Sequence, residues 1–187
     1  MVEIRKIRRH GDRAVPNEAA EILAQGVVAH VGLVQDGAPL VIPQLYHYDP
    51  TVPDQIYLHG ARANGSLALI EAGAPVCVTV TLLDGLVYSR DATNHSANYR
   101  SVVCFGQGVA ITDTAEKEAV LAAMIARYFV GRTAGVDYAP PEAKHLTATA
   151  LVRVHITAWN AKARRGGPMG PDDEATDAPF TAGVVEL

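Results

Sequence analysis

The dipeptide Asp36-Gly37, set between the apolar, β-prone runs Val27–Val34 and Pro39–Tyr48, constrains the fold more than any other feature of the chain. Asp-Gly is suited to a tight hairpin turn whose central residues need positive φ, so the two runs are expected to lie antiparallel. Further strands are predicted at Gln55–His59, at Val76–Leu83 turning through Asp84-Gly85 into Leu86–Ser89, from Tyr99 through Ile111, and at Ala150–Trp159. In the last of these, Val152, Val154 and Ile156 alternate with Arg153, His155 and Thr157, as in a half-buried strand.

Helices are predicted in between. One runs from an Asn17 N-cap through Leu23 and ends at Gly26; a second opens at Asn64-Gly65-Ser66 and stops at Gly73 and Pro75. The longest starts at a Thr114 cap, with Val120, Leu121, Met124, Ile125 and Tyr128 as an apolar stripe read as core. Glu142–Leu146 makes a further turn of helix after Pro140-Pro141. Strands dominate, and the regular strand-helix alternation of a parallel sheet is missing. The expected architecture is a small closed β-barrel whose gaps are plugged by helices.

The 187 residues suit one domain, with residues 1–16 as a basic leader and 163–187 as an irregular arm. Hydrophobic residues make up 49% and charged ones 19%, which leaves apolar surface for a subunit interface to cover. A net charge of −4 argues against general nucleic-acid binding. No apolar run approaches the roughly 18 residues of a membrane span, and the basic start lacks the apolar core of a signal peptide, so a cytoplasmic protein is expected. Cys77 and Cys104, both in apolar strand-like runs, are read as buried small hydrophobes.

Chemistry concentrates in a few places. His59 ends a strand, where it could bind a ligand or move a proton. The helix start at Asn64–Ser66, with Arg62 beside it, offers backbone N–H groups to a phosphate. Arg100, at the mouth of a strand, calls for an anionic partner. Trp159, Lys162, Arg164 and Arg165 place an aromatic ring and cations at the end of the last strand. The histidines lack metal-site spacing, so no metal is expected, and a serine hydrolase motif is absent.

Four segments, Gly37–Pro43, Ile56–Ala61, Asn98–Gly106 and Trp159–Lys162, together resemble the pyridoxamine 5′-phosphate oxidase-related, FMN-binding split-barrel proteins, in particular the nitroimidazole-resistance branch. The resemblance runs from about Arg13 to Gly183. It implies a six-stranded antiparallel split barrel, a homodimer, and FMN in clefts between subunits, serving an oxidoreductase that uses NAD(P)H to reduce a small acceptor. It places His59 beside the flavin as the catalytic residue. Pro43 and its neighbours would face the ring, with Thr79 on the neighbouring strand, and Gly60 and Ala61 would also bind the cofactor; Tyr99, Arg100 and Ser101 would form one wall; Lys162 and Arg164 would be a basic pair. Asn64-Gly65 stands where many relatives carry Ser-Arg, so Arg62, Asn64 and Ser66 must grip the phosphate. A flavin- or haem-binding module without turnover, with His59 or His95 on the iron, is the alternative; oxidation of pyridoxamine phosphate itself ranks below both.

Overall fold

The computed structural model describes residues 7–187, so Arg5 and Lys6 of the basic leader lie outside the described residues. Its framework is one antiparallel sheet of β1 (Val28–Gln35), β2 (Ala38–His47), β3 (Gln55–Ala61), β4 (Pro75–Tyr88), β5 (Ser96–Ala110), β6 (Thr149–Arg164) and β7 (Gly183–Glu186). The order β1-β2-β3-β6-β5-β4 closes on itself when Ala29–Gly32 of β1 pair with Cys77–Val80 of β4. This is the six-stranded split barrel that the resemblance implied. The β1–β2 turn is as expected: Asp36 and Gly37 have φ of 50° and 78°, and Gln35 faces Ala38.

Alternation along the strands fills the interior with Ala29 and Val31, Ile56 and Leu58, Val76, Val78 and Val80, Val102 and Cys104, and Val152 and Val154, all buried. Helix α1 (Ala19–Gln25) adds Ile22 and Leu23, and α2 (Gly65–Glu71) adds Leu67 and Ile70. Tyr46 also points inward; its hydroxyl donates to the Leu23 carbonyl at 2.5 Å, and burial pushes its pKa up to about 12. Helix α3 (Thr114–Tyr128) and the short α4 (Ala143–Ala148) lie outside the barrel.

The ring is incomplete at one place. β2 and β3 pair only through Tyr46–Leu58 and His47–Tyr57 and then splay apart. α3 lies over this gap. The Tyr128 hydroxyl accepts the Tyr46 N–H at 3.3 Å and donates to the Tyr46 carbonyl.

The structure corrects several expectations. Asp84-Gly85 is a bulge inside one continuous β4, and the register against β5 shifts there. β7 runs close by at this point, and a Cβ on Gly85 would lie 2.9 Å from the Val185 carbonyl oxygen, so glycine is needed for the approach. The arm after residue 162 is only partly irregular: β6 continues to Arg164, and Gly183–Glu186 pair with Gly85–Tyr88. Asn17 caps nothing, because Pro16 starts a 3₁₀ turn that runs into α1. The α3 cap is Asp113, whose Oδ1 accepts the Glu116 N–H at 2.8 Å, one residue before the Thr114 expected. Among the described residues, no helix is long and apolar enough to cross a membrane.

Candidate functional site

A cavity of about 700 Å³ opens where β2 and β3 splay. Leu45 and His59 form its floor, flanking the inward Tyr46 and Leu58 on the opposite face of the sheet. α3 contributes Leu121, Met124, Ile125 and Tyr128, and the chain from Tyr138 to Pro141 leads into α4, which adds His145 and Leu146. The lining is mainly apolar with a few polar groups, as expected of a site for an organic ligand. The α3 stripe therefore divides. Val120 packs in a small core with Ile111 and Leu151, whereas Leu121 and Ile125 face the cavity, contrary to a purely core reading.

His59 is half-buried, and burial lowers its pKa below the ordinary histidine value, so the ring is held neutral. Its Nδ1 is enclosed without a hydrogen-bond partner. Such an orphaned atom costs about 1–3 kcal/mol, and because it is enclosed by the protein it leaves Nε2 as the ring nitrogen for any ligand. A neutral imidazole lining an apolar cavity could hold a haem iron. His95, the other candidate, lies elsewhere: its Nδ1 is 3.2 Å from the Asp91 carbonyl oxygen and its ring stands edge-on to Tyr88.

The predicted flavin residues fall into two groups. His59, Gly60, Ala61, Arg62, Asn64 and Ser66 cluster at the end of β3 and the start of α2. Thr79, Tyr99, Ser101 and Lys162 sit on β4–β6, with Thr79 opposite His30, His30 opposite Pro43, and Ser101 opposite Lys162. His59 faces Leu151 and Ser101 faces Lys162, so on β6 His59 and the Ser101–Lys162 pair are separated by eleven residues, about 36 Å of strand contour, whereas Thr79 is reached from the other side through His30 and Pro43. One protomer does not gather them around a single ring.

Most of the predicted anion-binding groups have internal partners. Arg100 forms a fork with Asp84, Nη2 to Oδ1 at 2.7 Å and Nε to Oδ2 at 3.0 Å, and the Asp84 carboxyl is held below its usual pKa by this bond. Because neighbouring strand residues face opposite sides, Tyr99, Arg100 and Ser101 do not form one wall; Arg100 points away from the other two. Arg164 is buried, donating to Asn98 Oδ1 and to the carbonyls of Gly166 and Gly167. Arg62 pairs with Glu71 at 3.0 Å. Asn64 Oδ1 accepts the N–H groups of Ser66 and Leu67 at 3.0 and 3.1 Å, so the helix start offers those amides to its own cap, and Ser66 is buried. Among the described residues Lys162 donates to the Arg9 carbonyl at 3.1 Å, and its side chain is partly accessible. On the outer face Pro43, His30 and Thr79 are direct cross-strand neighbours, and the Ser101–Lys162 pair lies one step further along, two residues from Val103, the partner of Thr79, so the face offers polar groups and one cation.

Sequence reasoning missed His145 and the Tyr138–Pro141 segment. The prolines gave a weak signal, marking a stretch unable to continue a helix. The α3 stripe gave none, because periodicity marks an apolar face without saying what covers it.

A family profile described as pyridoxamine 5′-phosphate oxidase matches residues 16–163. None of the curated proteins compared matches the chain. The FAD and haem binding protein from Mycobacterium smegmatis is 31% identical with a TM-score of 0.80, covering 92% of this chain and 82% of its own. The flavocytochrome Anf3 from Azotobacter vinelandii is 30% identical with a TM-score of 0.85, covering 99% and 84%. A candidate 5-nitroimidazole antibiotic resistance protein from Bacteroides thetaiotaomicron, 22% identical with a TM-score of 0.64 and covering 80% and 86%, shares the fold. The profile match over most of the chain and the flavin-binding split-barrel architecture agree: this chain belongs to the pyridoxamine 5′-phosphate oxidase family.

Proposed function

We propose that this chain is a flavin- and haem-binding redox protein that works as a homodimer. The observation that carries the reading is the His59-lined cavity, which opens on the same outer sheet face as the Pro43–Thr79–Ser101–Lys162 row. When bound, the flavin supplies one- and two-electron chemistry with NAD(P)H as reductant, and the haem iron supplies one-electron chemistry. The protein binds and orients. The outer row would hold the flavin ring, with Lys162 toward its phosphates. His59 would hold the iron, and Leu121, Ile125 and the Tyr138–Pro141 segment would keep water out of the cavity.

The flavin proposed is FAD, the one named for the Mycobacterium relative, with the FMN expected from the sequence as the other arm of the test. The FMN phosphate grip was to come from Arg62, Asn64 and Ser66, and these are engaged by Glu71, by the helix cap and by burial. The dimer is supported by the outer face of β1 and β2, where Val34 and Val41 are 63% and 61% exposed beside Val28 and Leu45. A second copy seated there would also bring one protomer's β3–α2 group toward the other's β5–β6 group. A simple flavin reductase with His59 as proton donor is the second reading. It is favoured by the openness of the cavity to small acceptors and disfavoured by the lowered pKa of His59, which holds a proton poorly at neutral pH.

The test is reconstitution of the purified protein with FAD, FMN and haem, followed by gel filtration, absorbance and mass spectrometry of released ligands. Co-elution of FAD and a Soret band lost in His59→Ala is the expected result. Absence of a Soret band with flavin retained would leave the reductase reading; a monomer that binds neither would end both.

A further inference from the structure

Two histidines reach the cavity, His59 from β3 and His145 from α4, and a pair of imidazoles invites the assignment of both to one iron. Their hydrogen bonding separates them. Nδ1 of His145 accepts the backbone N–H of Glu142 at 3.2 Å, closing the first turn of α4. A ring nitrogen that accepts carries no proton, so the proton of the neutral ring sits on Nε2. That nitrogen is a donor and has no free lone pair for a metal. Using it as a ligand would put a proton on Nδ1, against the Glu142 N–H. The segment is also fixed from behind, since Lys117 Nζ donates to the Leu146 carbonyl at 2.5 Å and Thr149 Oγ1 to the His145 carbonyl at 2.9 Å. His59 has no such constraint, because its Nδ1 has no hydrogen-bond partner among the described residues.

We infer that the two histidines have different tasks: His59 alone ligates the iron, and His145 donates a hydrogen bond from Nε2 to a small acceptor anion bound at that iron. The inference rests on the haem reading of the cavity. It makes the loaded protein a haem with one coordination position left for an exogenous ligand, as distinct from a closed bis-histidine electron carrier.

The test uses the haem-loaded full-length ferric protein and fluoride, an anion that accepts hydrogen bonds. His145→Phe keeps the Soret band and the spin state while weakening fluoride binding roughly 2- to 12-fold, the worth of one hydrogen bond; His145→Gln, which retains a donor, recovers most of it. An unchanged fluoride affinity in His145→Phe refutes the donor role. A low-spin wild-type spectrum that turns high-spin in His145→Phe shows His145 to be a ligand and refutes the division of labour. Wild-type protein that gives no Soret band at all overturns the haem reading and this inference with it, and that result is read before any variant is made.

Discussion

Arg127 fastens the covering helix to the barrel, and its removal should be among the most damaging single changes outside the core. Its Nη2 lies 2.9, 3.1 and 2.6 Å from the carbonyl oxygens of Leu23, Ala24 and Gly26, the C-terminal end of α1. One nitrogen with two hydrogens makes no more than two full bonds at a time. At about 1.5–3 kcal/mol for each bond to a charged group, two contribute about 3–6 kcal/mol. The site is only partly buried, so water can reach the carbonyls in Arg127→Ala and the lower end applies. The guanidinium also sits 4.6 Å above the Tyr46 ring and 5.2 Å from that of Tyr128. That contact adds about 0.5–1 kcal/mol. The expected loss is about 3–4 kcal/mol, which for a chain of this size lowers Tm by about 6–16 °C. Urea unfolding followed by tryptophan fluorescence should give a lower midpoint at unchanged slope. Arg127→Lys should recover less than half, since an ammonium lacks the flat face that stacks on Tyr46. A loss below about 1 kcal/mol in Arg127→Ala would refute the account.

Burial lowers the pKa values of both His47 and His59, so below about pH 6.5 the unfolded chain takes up protons that the folded rings refuse. Stability should be complete above that pH and fall as the solution is acidified toward the folded values; urea midpoints at pH 7.5, 6.5 and 5.5 that rise on acidification would contradict it. Cys104 is buried with its pKa pushed up to about 12, whereas Cys77 is only half-buried, so a thiol reagent at pH 8 should modify Cys77 slowly in the native protein and Cys104 only on unfolding. The Arg90 guanidinium holds the carbonyls of Ala175, Ala178, Pro179 and Phe180. Arg90→Ala should therefore speed amide exchange in Gly183–Glu186 and in the facing Gly85–Tyr88, measured by mass spectrometry; unchanged exchange in both segments would show that the arm is held by other contacts.

The barrel could be read from the sequence because its strands alternate and its first turn is chemically explicit at Asp36-Gly37. Asp84-Gly85 carries the same local signal and does something else. There the chain carries on as a bulged strand that pairs with β7, which lies about a hundred residues further on and gives no strand signal in a stretch rich in Gly, Pro and Asp. Arg100 was legible as a cation needing an anion, but its partner Asp84 becomes visible only once the bulge aims that carboxylate across the sheet. His59 was identified for its position at a strand end. Its cavity was not, because the α3 residues that make it share a stripe with residues that are truly core, and only the splaying of β2 from β3 separates the two sets.

That splaying is already present in the covalent chain. In a two-residue hairpin Gln35 and Ala38 exchange hydrogen bonds, and bonded and non-bonded pairs alternate from there. Pro39 opposite Val34 and Pro43 opposite His30 both fall on non-bonded positions, so the amide hydrogen each lacks would have pointed away from β1, into the gap. The free side of β2 is thus missing two of the donors that any strand laid against it would require. β3 joins that edge at two residue pairs only, and a strand arriving from another molecule would meet the same two missing donors.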